Sequence, residues 1–220
     1  MSKNKITLLC GTSIDGKLNF GSITSSRGFE DNLPDLIAHP LLQLRRESDA
    51  VVVGINTALL DNPRLLSSEN TSLKQVVIDS NCRIPLDSNL VCNENCNLII
   101  VTTTKAPKDR IRALRSKNVT ILTCGHEKVD LVRMVEELSE MGITKLMLEG
   151  GGRLIFSFLK ESLIDEIRVV TFPFIVGDKD AVSLANGEGF NPRINFFLQS
   201  CDVLAQDYII SIYKPSYENQ

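Results

Sequence analysis

Residues 145–159 read KLMLEGGGRLIFSFL. A short apolar run ends in a carboxylate, three glycines follow, and an apolar run resumes at helical spacing. The pattern predicts a strand over 144–149, a glycine turn, and a helix over 153–160. Each glycine carries an entropic cost, so three in succession need a reason. In open α/β sheets, ligands bind beyond the carboxyl ends of strands, and Gly150, Gly151 and Gly152 stand between a strand end and a helix start. Lacking Cβ atoms, they let backbone N–H groups approach a ligand. The helix start adds free N–H donors and a positive dipole end, which suits phosphate. The stretch is not GxGxxG and lacks the lysine and Ser/Thr of a P-loop. The bland alternative is a tight turn whose glycines serve packing. Glu149 would repel a phosphate, so it is expected to face a polar substrate; otherwise it is a solvated strand-end carboxylate.

The alternation extends outward from this unit. AVVVG (50–54), KQVVID (74–79) and CNLIIVTT (96–103) are β-branched runs that predict buried strands. APKDRIRALRSK follows, with Pro107 near a helix start and Ile111 and Leu114 on one face. NVTILTC (118–124) predicts another strand. Asp130 is expected to cap DLVRMVEELSEMG, with Leu131, Met134, Val135, Leu138 and Met141 sharing a face and Gly142 ending the helix. ITLLC near the N-terminus reads as a first strand. DEIRVVTFPFIVG and DYIISIY read as late strands that pair antiparallel at an edge. With no repeat, low-complexity tract or linker, the chain predicts a single α/β domain over residues 1–220 on a mostly parallel sheet.

Composition excludes several classes. The hydrophobic fraction of 43% is ordinary for a protein with a core. A net charge of −3, a pI of about 5.5 and dispersed lysines and arginines exclude a nucleic-acid footprint. No stretch approaches the roughly 20 continuous apolar residues of a membrane span. The opening MSKNKITLLCGTSIDG has a basic start, but its apolar run falls short of the roughly 7–15 residues of a secretory core, so the chain is expected in the cytoplasm. The six cysteines, Cys10, Cys82, Cys92, Cys96, Cys124 and Cys201, are then expected as reduced thiols. CNENC lacks a second cysteine pair, and His39 and His126 lack partners at ligand spacing, so no metal is expected.

Two further stretches carry candidate chemistry. In DAVVVGINTALLDNPRL (49–65) a strand ends at Gly54, Asn56 or Thr57 is expected to cap a single helical turn, and DNPRL is a turn. Thr57 and Asp61 lie four apart and share a face; the alternative is plain capping with an Asx-type turn. TSIDGKL (12–18) follows the first strand and holds a DG turn, or is an ordinary loop.

Taken in series, SIDGKL, DAVVVGINTALLDNPRL, VVIDS, CGHEKVDL, LMLEGGGRL, LIDEI and NGEGF resemble the reductases of riboflavin biosynthesis over about residues 5–213. The chain is similar to the stand-alone reductases and to the reductase half of the bacterial bifunctional deaminase-reductases. As no deaminase segment precedes it in this sequence, the stand-alone type is expected, in which the substrate keeps its amino group. The resemblance implies an α/β, dihydrofolate-reductase-like three-layer fold: a mostly parallel central sheet flanked by helices, with antiparallel C-terminal strands. It also implies a homodimer and NADPH as cofactor; NADH is expected as a weaker one, and charge and hydropathy leave neither nucleic acid nor membrane as an expected partner. The implied reaction reduces the ribosylamino side chain of a pyrimidinone 5′-phosphate to ribitylamino, with hydride adding to the first sugar carbon of the opened imine. The catalytic proton donor is unknown.

Position by position, the resemblance puts cofactor contacts at Thr57, Asp61, Asp79, Ser80, Val129, Gly150, Gly151 and Gly152. Substrate contacts fall at Ser26, Arg45, Leu65 and Glu149. A guanidinium grips phosphate bidentately, which suits Arg45 to the sugar phosphate; its alternative is a solvated cation favoured by the helix dipole. Arg46 lies about 100° further round the helix and points elsewhere. Asp15 and Lys17 match the family pattern as site-shaping residues. Three departures stand out. Arg153 replaces the family's Thr, Ser or Pro, and opposes the helix dipole unless it meets a cofactor phosphate, such as the 2′-phosphate of NADPH. DNPR replaces DDPR, and SSRGF lacks the aromatic found at that loop in the bifunctional relatives. A reductase of the same fold acting on the deaminated pyrimidinedione, a pteridine or another heterocycle is one alternative, and a non-catalytic nucleotide-binding module is another.

Overall fold

The β-branched runs become strands in the computed structural model, which describes residues 4–18, 35–67, 70–93, 97–204 and 207–217. In chain order the elements are β1 (Lys5–Ser13), α1 (Asp35–Glu47), β2 (Ala50–Gly54), α2 (Ile55–Asp61), β3 (Lys74–Ile78), α3 (Asn89–Cys92) and β4 (Asn97–Thr102). They continue as α4 (Lys108–Arg115), β5 (Thr120–Thr123), α5 (Leu131–Glu140), β6 (Lys145–Leu148), α6 (Gly152–Lys160), β7 (Glu166–Phe172), β8 (Asn195–Leu204) and β9 (Tyr208–Ser216). The chain divides into two units, one of Met1–Asn4 with Leu44–Met147, the other of Lys5–Gln43 with Leu148–Gln220.

In the first unit, β2, β3, β4 and β5 are parallel neighbours. Val51, Val52, Val53, Val76, Val77, Ile100 and Val101 are all buried; strands covered on both faces read as continuous apolar runs rather than alternating ones. The register sets Gly54 opposite Ile78, Ile78 opposite Val101, and Thr102 opposite Thr123. The carboxyl ends of four strands therefore form one rim.

The helices follow their sequence signals with two corrections. The Asp130 carboxylate accepts the Arg133 N–H at 3.0 Å and caps α5, whose Leu131, Met134, Val135 and Leu138 are buried. Gly142 adopts φ 80° just beyond it, the left-handed turn that glycine takes without strain. Met141, expected on the buried stripe, is exposed, because it occupies the C-cap position beyond the last helical turn. Helix α2 takes Gly54 as its N-cap without a side-chain bond, so neither Asn56 nor Thr57 caps it. The Asn56 side-chain oxygen instead accepts a bond from Arg83 Nη2 at 3.0 Å.

In the second unit, β1 and β7 are parallel. β9 pairs antiparallel with β7, and β8 pairs antiparallel with β9, so the order β1–β7–β9–β8 leaves β8 at an edge. The antiparallel pairing of the late strands is as expected. β7 ends at Phe172, before Pro173, which has no N–H to donate to a ladder. Helix α6 buries Ile155, Phe156, Phe158 and Leu159, and Phe156 stacks on Phe190 with ring centroids 4.6 Å apart.

Candidate active site

Thr57, Asp61, Asp79, Ser80 and Val129 all follow strands of the first unit's parallel rim. Thr57 and Asp61 lie on α2, directly after β2, and both are half-buried. Asp79 and Ser80 follow β3, and Val129 follows β5. This is the end at which parallel sheets take ligands.

The Asp79 side chain is fully buried. Its Oδ2 accepts the Ile84 N–H at 2.9 Å, its carbonyl accepts the Cys82 N–H at 3.2 Å, and its buried Oδ1 has no partner among the described residues. The carboxylate thus shapes the turn it begins. Neighbouring elements hold that turn. Thr102 and Thr103 donate their hydroxyls to the Ser80 carbonyl, at 3.1 and 2.8 Å. Arg110 donates Nε–H to the Cys82 carbonyl at 2.9 Å and bonds the Ile84 carbonyl through Nη2. Burial pushes the Cys82 thiol pKa up. The roles of Thr102, Thr103 and Arg110 carry no signal in the sequence beyond the threonine run after β4, because their partners lie more than 20 residues away.

Arg45 and Leu65 also belong to the first unit. Arg45, in the last turn of α1, is only 7% exposed, whereas Arg46 is exposed. Its burial removes the solvated reading of that cation. Leu65 is buried and adopts φ 50°.

The glycine turn lies in the second unit, directly after β6. Gly151 is the N-cap of α6 in an extended conformation, φ −68° and ψ 158°. None of Gly150–Gly152 adopts a positive φ, so conformation does not demand them. Close approach demands Gly152: a Cβ there would lie 2.2 Å from the Ser183 carbonyl oxygen and 3.0 Å from Asn186 Cβ, and the Asn186 N–H donates to the Gly152 carbonyl at 2.9 Å. The packing reading therefore holds for Gly152. A Cβ on Gly150 would press on the Leu154 side chain at 3.0 Å. Glu149 is half-buried beside this turn, and Arg153 is exposed.

The SIDGKL loop belongs to the same unit and is tied to the segment after β7. The Asp15 carboxylate accepts the Ser13 hydroxyl at 2.6 Å and the N–H groups of Val176 and Gly177 at 3.0 and 2.9 Å. These bonds hold its pKa down at about 2. Lys17 Nζ donates to the Ala181 carbonyl at 3.5 Å. Ser26 lies outside the described residues, as does Cys96.

The family model for the RibD C-terminal domain matches residues 4–210. The chain belongs to the RibD C-terminal domain family. Among curated relatives in this family, the 2,5-diamino-6-ribosylamino-4(3H)-pyrimidinone 5′-phosphate reductase of Methanothermobacter thermautotrophicus is 36% identical, over 93% of this chain and 95% of the relative. The fold is shared more widely. A pyrimidine reductase-like protein from Corynebacterium diphtheriae superposes with a TM-score of 0.82 at 19% identity, covering 98% of this chain and 93% of the other. A dihydrofolate reductase from Enterococcus faecalis, solved with NADP(H), superposes with a TM-score of 0.50 at 9% identity, covering 96% of each chain. The dihydrofolate-reductase-like α/β fold is thus established for this RibD-type domain, as are its mostly parallel strands and antiparallel C-terminal strands.

Proposed function

We propose that this chain is an oxidoreductase of riboflavin biosynthesis. It reduces the ribosylamino side chain of 2,5-diamino-6-ribosylamino-4(3H)-pyrimidinone 5′-phosphate to ribitylamino. The observation that carries this reading is the 36% identity to a reductase of that name across nearly its whole length. The whole chain, residues 1–220, acts as one reductase domain. No helix among the described residues is long and apolar enough to cross a membrane, and we place the enzyme in the cytoplasm.

NADPH is the proposed cofactor, with NADH the weaker one. When bound, it supplies hydride to the first sugar carbon of the opened imine. The protein's part is to bind, orient and exclude water. In the first unit we assign cofactor contacts to Thr57, Asp61, Ser80 and Val129, with Asp79 setting the course of its turn. In the second we assign them to Gly150, Gly151, Gly152 and Arg153. The start of α6 fits an anionic group. The first N–H groups of a helix have no intrahelical acceptor, and Arg153 is exposed with no side-chain partner among the described residues. A cation there opposes the helix dipole, and a phosphate offsets it. Arg153→Thr is expected to weaken NADPH more than NADH; equal weakening would remove Arg153 from 2′-phosphate recognition. Substrate contacts are assigned to Ser26, Arg45, Leu65 and Glu149, with Arg45 on the sugar phosphate through paired guanidinium bonds.

The enzyme is proposed to be a homodimer. Supporting this, edge strand β8 exposes Phe197 at 63% and Val203 at 70%, and exposed apolar edges are rare in proteins that remain alone.

The test is anaerobic oxidation of NADPH by the purified protein, with the diaminopyrimidinone substrate and its deaminated analogue in parallel. Consumption with the first and little with the second is expected. Preference for the second would place reduction after deamination, and no consumption with either would sink the reading.

A further inference from the structure

The chain leaves α2 through two left-handed residues. Asn62 (φ 41°, ψ 54°) is the C-cap, and Leu65 (φ 50°) follows after Pro63 and Arg64. Asparagine visits this region at modest cost; leucine does so rarely. Such residues persist only where the surroundings hold them.

Two side chains of the same unit do so. At the start of α3, Asn89 donates its backbone N–H to Asn62 Oδ1 at 2.7 Å and its side-chain Nδ2–H to the Asn62 carbonyl at 2.6 Å. On β3, Gln75 donates Nε2–H to the Leu65 carbonyl at 3.2 Å. Asn62 thereby serves two helices. Its own N–H closes α2 on the Ala58 carbonyl at 3.1 Å, and its side chain satisfies the first N–H of α3. The N-cap residue of α3, Ser88, makes no side-chain cap bond, and its buried hydroxyl has no partner among the described residues.

Asn62 separates Asp61 from Leu65, so its conformation fixes where each stands. We propose that Asn89 is a positioning residue: by locking Asn62 in the left-handed conformation it aims Asp61 at the cofactor and Leu65 at the substrate. This rests on the proposed function, which gives Asp61 and Leu65 those contacts.

The test uses the full chain. Asn89→Ala removes the bond to the Asn62 carbonyl and keeps the backbone bond. It should speed hydrogen exchange of the Asn62 amide and raise the NADPH Kd roughly fivefold, the scale of one lost hydrogen bond. Adding Asn62→Gly is the decisive step, since glycine enters the left-handed conformation with no steric penalty and so needs the clamp least. The double variant should return to within about twofold of wild-type NADPH affinity while its melting temperature falls further, because the α3 cap is gone. If Asn89 served stability alone, affinity would stay unchanged in Asn89→Ala or fall with each loss of stability. Unchanged exchange at Asn62, or no recovery in the double variant, overturns the proposal. Should Asn89→Ala fail to fold, Asn89→Asp decides, since it also removes the side-chain donor to the Asn62 carbonyl: a loss of about fivefold in NADPH affinity that Asn62→Gly restores supports the clamp, and unchanged affinity overturns it. If the wild type bound neither NADPH nor NADH, the functional reading would fail separately, and exchange at Asn62 in Asn89→Ala would judge the clamp.

Discussion

Val52 on β2 and Val203 on β8 are the same residue type in opposite settings. The first is fully buried, and the second is 70% exposed. Strands β2, β3 and β4 pair in parallel, and their apolar side chains are covered on both faces. Among the described residues, strand β8 pairs on one side only, antiparallel to β9, and it exposes Phe196, Phe197, Leu198 and Val203. The parallel strands use their apolar residues to specify the fold. Those of β8 contribute little to the unit's own core, which leaves them for another surface.

That contrast should break first under core truncation. Ile100→Ala on β4 is expected to cost about 2–5 kcal/mol of stability, the range for emptying a packed aliphatic site, as read by urea unfolding. Gly152→Ala in the second unit should cost roughly 1–3 kcal/mol by overpacking, because its Cβ has no room against the Ser183 carbonyl. A loss of either size from Val203→Ser would erase the distinction between the strands. The expected change is within about 0.5 kcal/mol for a single protomer, while Phe197→Glu should shift sedimentation from dimer to monomer without unfolding.

Acid sharpens the comparison within the second unit, where the Asp15 latch depends on charge. Its folded pKa of about 2 lies below its ordinary 3.8. The latch therefore contributes stability above about pH 4, and that contribution is lost as pH falls through about 2. Asp15→Asn should lower the neutral-pH melting temperature and flatten the acid limb; an unchanged acid limb would show that the latch contributes nothing. The smallest effect is in thiol reactivity. Iodoacetamide should label exposed Cys92 first. Buried Cys82 and Cys124, whose thiols burial pushes up, should label only on unfolding, and half-buried Cys10, whose thiol burial pushes up to about 12, should label slowly. Protection of Cys201 in the dimer and labelling in Phe197→Glu would place the interface on β8.

The same contrast governs what can be read from the sequence. AVVVG, KQVVI and NLIIVT are legible because two-sided burial leaves an unbroken apolar run, and α5 is legible because a capping aspartate precedes a 3.6-residue stripe. β8 gives neither pattern: NFFLQSCDVL places apolar residues on faces the chain does not cover. In the candidate site, spacing shows that Thr57 and Asp61 share a helical face. It cannot show that Arg45 is buried and Arg46 exposed, nor that Thr102, Thr103 and Arg110 hold the turn after β3. Those bonds join residues far apart in the chain, and no local periodicity encodes them.

The division of the chain has a consequence during synthesis. The second unit begins with β1 and resumes only after Met147. The Ile6 N–H must wait for the carboxylate of Asp165, made 159 residues later. At roughly 5–20 residues per second, that delay is on the order of ten to thirty seconds. Throughout it β1 lacks β7, while the complete first unit emerges from the ribosome behind it. For that interval the strand's Ile6, Leu8 and Leu9, buried in the folded protein, are open to the chaperones that shield exposed apolar surface on nascent chains.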